Sequence, residues 1–267
     1  MNKNIYLTSL LVICLFFDGF SQNDSPYETN VWKDGAWVTA GLGLNAYGLF
    51  LISNKDDLTD EKLDNLSEDD LFFMDRWAAG YDDENASKIS DIPFYSSFAT
   101  PLLLLIDKRM RKDAGKISVM YVESMATTGA LFAITAGLVE KSRPRVYNEE
   151  LSRNIRLSSN NQRSFFSGHV AASATATFFA AKVYSDYFPD SKAKPYIWAG
   201  AALIPATVGA FRIKSGNHFL SDVLIGYAVG AASGIMVPYL HTRKESKLKV
   251  SPGIGFHQQT LNISYQF

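Results

Sequence analysis

The sequence predicts an all-α fold, a six-helix bundle preceded by a signal peptide and followed by a short C-terminal β-hairpin. Three observations predict it. Apolar stretches rich in Ala, Gly and Leu recur between 35 and 240, charged residues gather in the connections, and period-two alternation is confined to the end of the chain. With 267 residues the chain can bury the core of one main domain with appendages. No internal repeat is visible.

Taken in order, Lys3 begins a short basic region, 5–17 is mostly apolar, and Gly19-Phe20-Ser21 resembles a small-residue cleavage site. Thirteen apolar residues are too few for a comfortable membrane span. Residues 1–21 are therefore expected to be an export signal. The first helix is expected over 35–53. From 54 to 91 thirteen Asp/Glu stand against four Lys/Arg, and no Asp-x-Asp-x-Asp-Gly loop is present to make this a calcium site. It reads as a solvated connector, with a short amphipathic helix near 71–79. Further helices are expected at 92–106, 117–139, 170–187, 196–212 and 219–240, and a strongly basic turn lies at 107–116. The expected domains are 1–21 signal, 22–91 N-terminal helix and acidic connector, 92–244 helical domain, and 245–267 hairpin tail. In the tail Leu261, Ile263, Tyr265 and Phe267 alternate with polar residues, so a hairpin packed on the helices is expected.

Composition removes several function classes. Lys+Arg 26 against Asp+Glu 27 gives a net charge of −1, which offers no basic face for nucleic acid. Cys14 is the single cysteine, so neither a disulfide framework nor a thiolate metal site is expected. The mean hydropathy of −0.04 is low for a chain made mostly of spans.

Three loops carry polar residues that apolar helices would not tolerate without a use: Arg143-Pro144-Arg145, then Ser167-Gly168-His169 following Arg163, then Arg212…His218…Asp222. A helix N-terminus is a ready anion site, and Gly168 lets backbone approach a ligand closely. Ser-Gly-His before a helix is also an ordinary cap. Arginine suits phosphate because its planar fork donates two parallel hydrogen bonds and stays charged. Alone, each arginine at a helix end could equally snorkel. On a helix, His218 and Asp222 would stand i,i+4 on one face, where the carboxylate would fix the imidazole tautomer; a surface His–Asp pair is the alternative.

In this order and at these helix ends, the three loops resemble the type-2 phosphatidic acid phosphatase and vanadium haloperoxidase superfamily over roughly 92–240. The resemblance implies the acid phosphatase/haloperoxidase type of bundle. It implies His218 as the nucleophile that forms a phosphohistidine, Asp222 as its orienter, and His169 as the general acid. Arg143, Ser167, Gly168 and Arg212 become the phosphate cradle, and no metal or other cofactor is called for. The chain departs from the pattern in three places. Ala136 stands where the family has a lysine, Phe166 where it has a proline, and Phe211 where it has a serine. Lys141, off the helical face that position 136 would share, has the missing charge and joins the expected phosphate ligands.

The implied activity is removal of phosphate from lipid or small phosphoesters. A non-catalytic phospholipid-binding envelope protein is a second reading, and a vanadate-dependent haloperoxidase a third. With the signal removed and six helices crossing, the basic turn would face outward and the site the cytosol, against the positive-inside expectation. The conflict disappears if 35–53 does not cross, or if the helices form an exported bundle that never spans. Glu123 and Lys182 within helices favour the bundle, and both arrangements put the site in the periplasm.

Overall fold

A computed structural model describes residues 25–243 and the backbone of 248–254 and 259–265. The expected signal peptide lies outside the described residues. Six long helices form the body: α1 (Val31–Ser53), α2 (Glu84–Ser97), α3 (Ala114–Leu138), α4 (Gly168–Tyr187), α5 (Lys194–Lys214) and α6 (Leu220–Leu240). Short helices at Asp60–Asp64, Thr100–Leu104, Lys108–Lys112 and Arg153–Leu157 fill the connections. The all-α class is as the sequence predicts.

Two expected elements are corrected. The stretch 92–106 is not one helix. The Asp83 side chain accepts from the Ala86 N–H at 3.0 Å and starts α2 at Glu84, inside the acidic connector. Pro101, suited to a first helical turn, then begins a separate helix. In place of the amphipathic helix at 71–79 there are two 3-10 turns, Glu68–Asp70 and Arg76–Ala78. In the tail, Leu248–Ile254 and Gln259–Tyr265 pair as backbone. Their side chains lie outside the described residues, so a hairpin docked on the helices gains no support and the fold class rests on the helices.

Small residues set how closely the long helices approach. A Cβ on Gly41 would lie 2.9 Å from Ala126 Cβ, one on Gly48 2.6 Å from Ala133, and one on Gly137 2.5 Å from Leu51 Cβ. These pairings rise together along both helices, so α1 and α3 run parallel. On α6, Gly226, Gly230 and Gly234 repeat every four residues and form one face. They meet the Ser167, Ala171 and Thr175 carbonyls of α4, and a Cβ at Gly230 would come within 2.1 Å of the Ala171 oxygen. The two helices are therefore parallel, with their N-termini side by side. Tyr27, Met120, Phe179 and Val183 fill the core between α3, α4 and α6. The consequence for function is that the C-termini of α3 and α5 and the N-termini of α4 and α6 meet at one end of the bundle.

Candidate active site

At that end lies a cavity of about 260 Å³ lined by Phe132, Arg143, Asn160, Arg163, Gly168, His169, Arg212, Asn217 and His218. A larger groove of about 730 Å³ between 58–70 and Glu140 has no histidine or arginine in its wall. Chemistry therefore selects the smaller one.

Arg212 closes α5, and the chain turns back through Gly216 at φ 68°, where a Cβ would lie 1.7 Å from the Tyr81 oxygen. This turn delivers His218 to the cavity, buried to 4% exposure. His218 Nδ1 is 2.7 Å from the Ser164 carbonyl oxygen. A carbonyl only accepts, so Nδ1 carries the hydrogen and Nε2 the lone pair. Burial, reinforced by the Arg143 charge, holds the imidazole pKa well below its ordinary value, so the lone pair is free at neutral pH.

Asp222 does not touch His218. Because α6 begins at Leu220, His218 precedes the helix and i,i+4 spacing never applies to the pair. The Asp222 Oδ2 atom instead accepts from the Phe219 N–H at 3.0 Å and the Ser164 hydroxyl at 2.6 Å. Ser164 thus joins the two, its hydroxyl on Asp222 and its carbonyl on His218.

Lys141 is also corrected. Its ammonium donates to Asp222 Oδ1 at 2.7 Å, Ser221 Oγ at 2.9 Å and Asp75 Oδ2 at 3.0 Å. All three of its donors are engaged, and it does not line the cavity. Lys141 pairs with Arg163 in a parallel bridge, and of these two cations Arg163 lines the cavity. Asp75 is fully buried, although the acidic connector reads as solvated. Ala136 is fully buried as well, and its carbonyl accepts from the Lys55 ammonium at 2.9 Å.

The remaining expected residues converge. Arg143 donates to Asn217 Oδ1 at 3.0 Å, and Arg212 to Ser87 Oγ at 3.3 Å and Asp91 Oδ1 at 3.2 Å. The Nε atoms of Arg143, Arg163 and Arg212 and the Ser167 hydroxyl are buried without a hydrogen-bond partner among the described residues. Burial, then the neighbouring arginines with Arg163 foremost, pushes the Arg143 pKa down to about 9. His169 packs against Phe94, the two rings tilted by 47° with centroids 4.5 Å apart. Burial, then Arg212 and Arg143, brings its pKa down to about 3, so it is neutral at pH 7. Gly168 faces Phe132, and a Cβ there would come 2.7 Å from the ring. Sequence reasoning missed Phe132, Asn160, Ser164, Asn217 and Asp75 as parts of the site. Arg163 alone had a signal, as a cation beside the Ser-Gly-His loop.

Buried donors without acceptors, gathered around two histidines, form a receptor for an oxyanion. The PAP2 superfamily model matches residues 118–246. This segment belongs to the PAP2 superfamily. No curated protein and no solved structure matches the chain. The PAP2 segment contains the three loops, α4 to α6 and most of α3. It therefore carries the residues that line the cavity, and PAP2 membership supports phosphatase-type activity in the broad sense. Four helices, α1, α3, α5 and α6, are long and apolar enough to cross a membrane, which suggests membrane association.

Proposed function

We propose that this PAP2 protein hydrolyses phosphomonoesters or terminal phosphates of lipids through a phosphohistidine on His218. The observation that carries the reading is the His218 ring. Its Nδ1–H is fixed by a carbonyl, and the ring stands in a cavity whose arginines hold unpartnered donors. In the first step Nε2 of His218 attacks phosphorus. The ester P–O bond breaks, and the leaving oxygen keeps the electron pair and takes a proton from His169. Arg143, Arg163 and Arg212 hold the equatorial oxygens, with the Ser167 hydroxyl, so that charge is stabilised where it develops. In the second step His169 takes a proton from water, whose oxygen attacks phosphorus. The P–N bond breaks, its pair returns to Nε2, and phosphate leaves.

His169 must be protonated for the first step although burial and the neighbouring arginines disfavour it. A bound phosphate supplies the opposing negative charge, so substrate brings the acid to its working state. Lipid substrates are supported by the apolar exterior of the bundle: Leu102, Leu103, Leu203 and Leu224 are all about half exposed or more. The site is proposed to face the periplasm.

The test is phosphate release by purified protein from phosphatidic acid, an isoprenyl phosphate and a soluble aryl phosphate. Turnover is expected with a lipid substrate, and none with His218→Ala. Rapid quench with labelled substrate should trap an acid-labile phosphoenzyme. Full activity in His218→Ala, or an active enzyme with no phosphoenzyme, would remove covalent catalysis.

A further inference from the structure

At the other end of the bundle, about 30 Å along α6 from the catalytic cavity at 1.5 Å per residue, three helices bring together Asp34, Glu123 and His241. Asp34 comes from the first turn of α1, Glu123 from α3, and His241 follows the last residue of α6. All three are buried, Glu123 completely. One ligand atom from each lies within 4.8 Å of the others. His241 Nε2 is 3.2 Å from Glu123 Oε2 and 3.4 Å from Asp34 Oδ1.

We propose that this cluster is a divalent metal site of the zinc class that pins α1, α3 and α6 together. The imidazole is held in the ligating tautomer. Nδ1 lies 2.9 Å from the Val237 carbonyl and donates to it, leaving the Nε2 lone pair aimed at two carboxylates. A positive charge between them would satisfy the imidazole lone pair and both carboxylates. A proton on Nε2 neutralises one of two negative charges and can point at one oxygen only. Neither Glu123 oxygen accepts a hydrogen bond among the described residues, so neither contact has the geometry of a protonated pair. A divalent ion neutralises both carboxylates. Bonds of about 2.0–2.1 Å in a tetrahedron place neighbouring ligand atoms ~3.3 Å apart, which matches the two separations from His241 Nε2, 3.2 and 3.4 Å. Imidazole among the ligands disfavours calcium and magnesium. The outer contacts suit a metal centre too: the second Asp34 oxygen accepts from the Asn30 N–H at 2.6 Å, and the Trp37 ring packs against the imidazole. The site is separate from the proposed phosphoryl transfer, which routes no step through it.

The full-length protein, stripped with chelator, is titrated with Co²⁺ and with Zn²⁺. One Co²⁺ per chain with tetrahedral visible bands is expected, together with a rise in Tm on adding Zn²⁺. Both are lost in Glu123→Gln and His241→Gln, while the phosphate-release kinetics of folded protein are unchanged. If those variants do not fold, X-ray absorption on Zn²⁺-loaded wild type decides. A single imidazole with oxygen ligands supports the site, and two imidazoles place the metal in the catalytic cavity instead. Folded wild type that takes up no metal, or uptake indifferent to both variants, overturns the proposal.

Discussion

The link from Asp222 to His218 runs through Ser164, and this yields a prediction that differs from a direct carboxylate–histidine pair. Ser164→Ala removes a hydroxyl 2.6 Å from Asp222 Oδ2 and keeps the carbonyl that holds His218. Hydrogen bonds to a charged group contribute about 1.5–3 kcal/mol. Expressed fully in transition-state stabilisation, this slows kcat/KM by roughly 10- to 150-fold. Asp222→Asn should be slower still and less stable. Three donors converge on its oxygens, from Lys141, Ser164 and Phe219, so an amide NH₂ must face one of them. Loss of one charge from a buried pair costs about 3–5 kcal/mol, and Asp75, which keeps its bond to Lys141, moves the expectation to the lower end. The assay is a double-mutant cycle on phosphate release, with thermal unfolding as the control for folding. In the Asp222→Asn background Ser164→Ala should cost little, giving a coupling of about 1–3 kcal/mol. If Ser164→Ala stays within about twofold of wild type while folded Asp222→Asn falls by two orders of magnitude, the Ser164 relay is wrong.

Two further expectations follow from the cavity wall. Arg163→Ala should weaken vanadate binding by about 10-fold or more, the scale of one charge-assisted hydrogen bond, because Arg163 lines the cavity; Lys141→Ala should lower Tm with little effect on vanadate affinity, and the reverse pattern would return Lys141 to the cradle. For His169 the free pKa is pushed down to about 3 and bound anion raises it. Between those two values the complex holds a proton that the free protein lacks, so vanadate binding tightens as pH falls, by up to one decade per unit; equal pH slopes in wild type and His169→Asn would refute the linkage.

The legible part of the site was the part that local chemistry forces into view. Arginines and histidines at the ends of apolar helices stand out, and Arg143, Ser167, Gly168, His169, Arg212 and His218 all come to the same end of the bundle. The sequence misled wherever a residue's role depended on contacts between distant segments. Lys141 reaches Asp222, Ser221 and Asp75, and Arg163 lines the cavity in its place. Asp75 leaves an acidic run to meet that lysine. The His218–Asp222 spacing failed for a local reason, a helix that starts two residues after His218. The expected helix 92–106 failed because apolar content was taken as the guide. The polar first half of α2 is needed where it is, since Ser87 and Asp91 both receive the Arg212 guanidinium.

The parallel packing of α1 and α3 sharpens the question of orientation. With α1 lying along α3, the arrangement in which α1 alone stays out of the membrane is removed. The basic turn, including Lys108, Arg109, Arg111 and Lys112, leads into the start of α3, and the cavity lies beyond its far end. In a spanning bundle these two ends face opposite sides. Positive charges are retained in the cytosol, which in a spanning bundle would put the cavity outside and the start of α1 inside. A cleaved signal at 1–21 would demand the opposite for α1, so a spanning bundle cannot satisfy both expectations. An exported bundle could, but it would leave Leu49, Phe50, Leu102, Leu103 and Ile106 in water, each 60% exposed or more. Lipid contact is the better account of them. In a Cys14→Ser background, Glu149→Cys on the cavity side should react with a membrane-impermeant maleimide in intact cells opened only at the outer envelope, and Lys112→Cys should not. Reaction at both positions would restore the exported bundle with its cleaved signal. Protection of Glu149→Cys with labelling of Lys112→Cys would put the cavity in the cytosol and refute a periplasmic site.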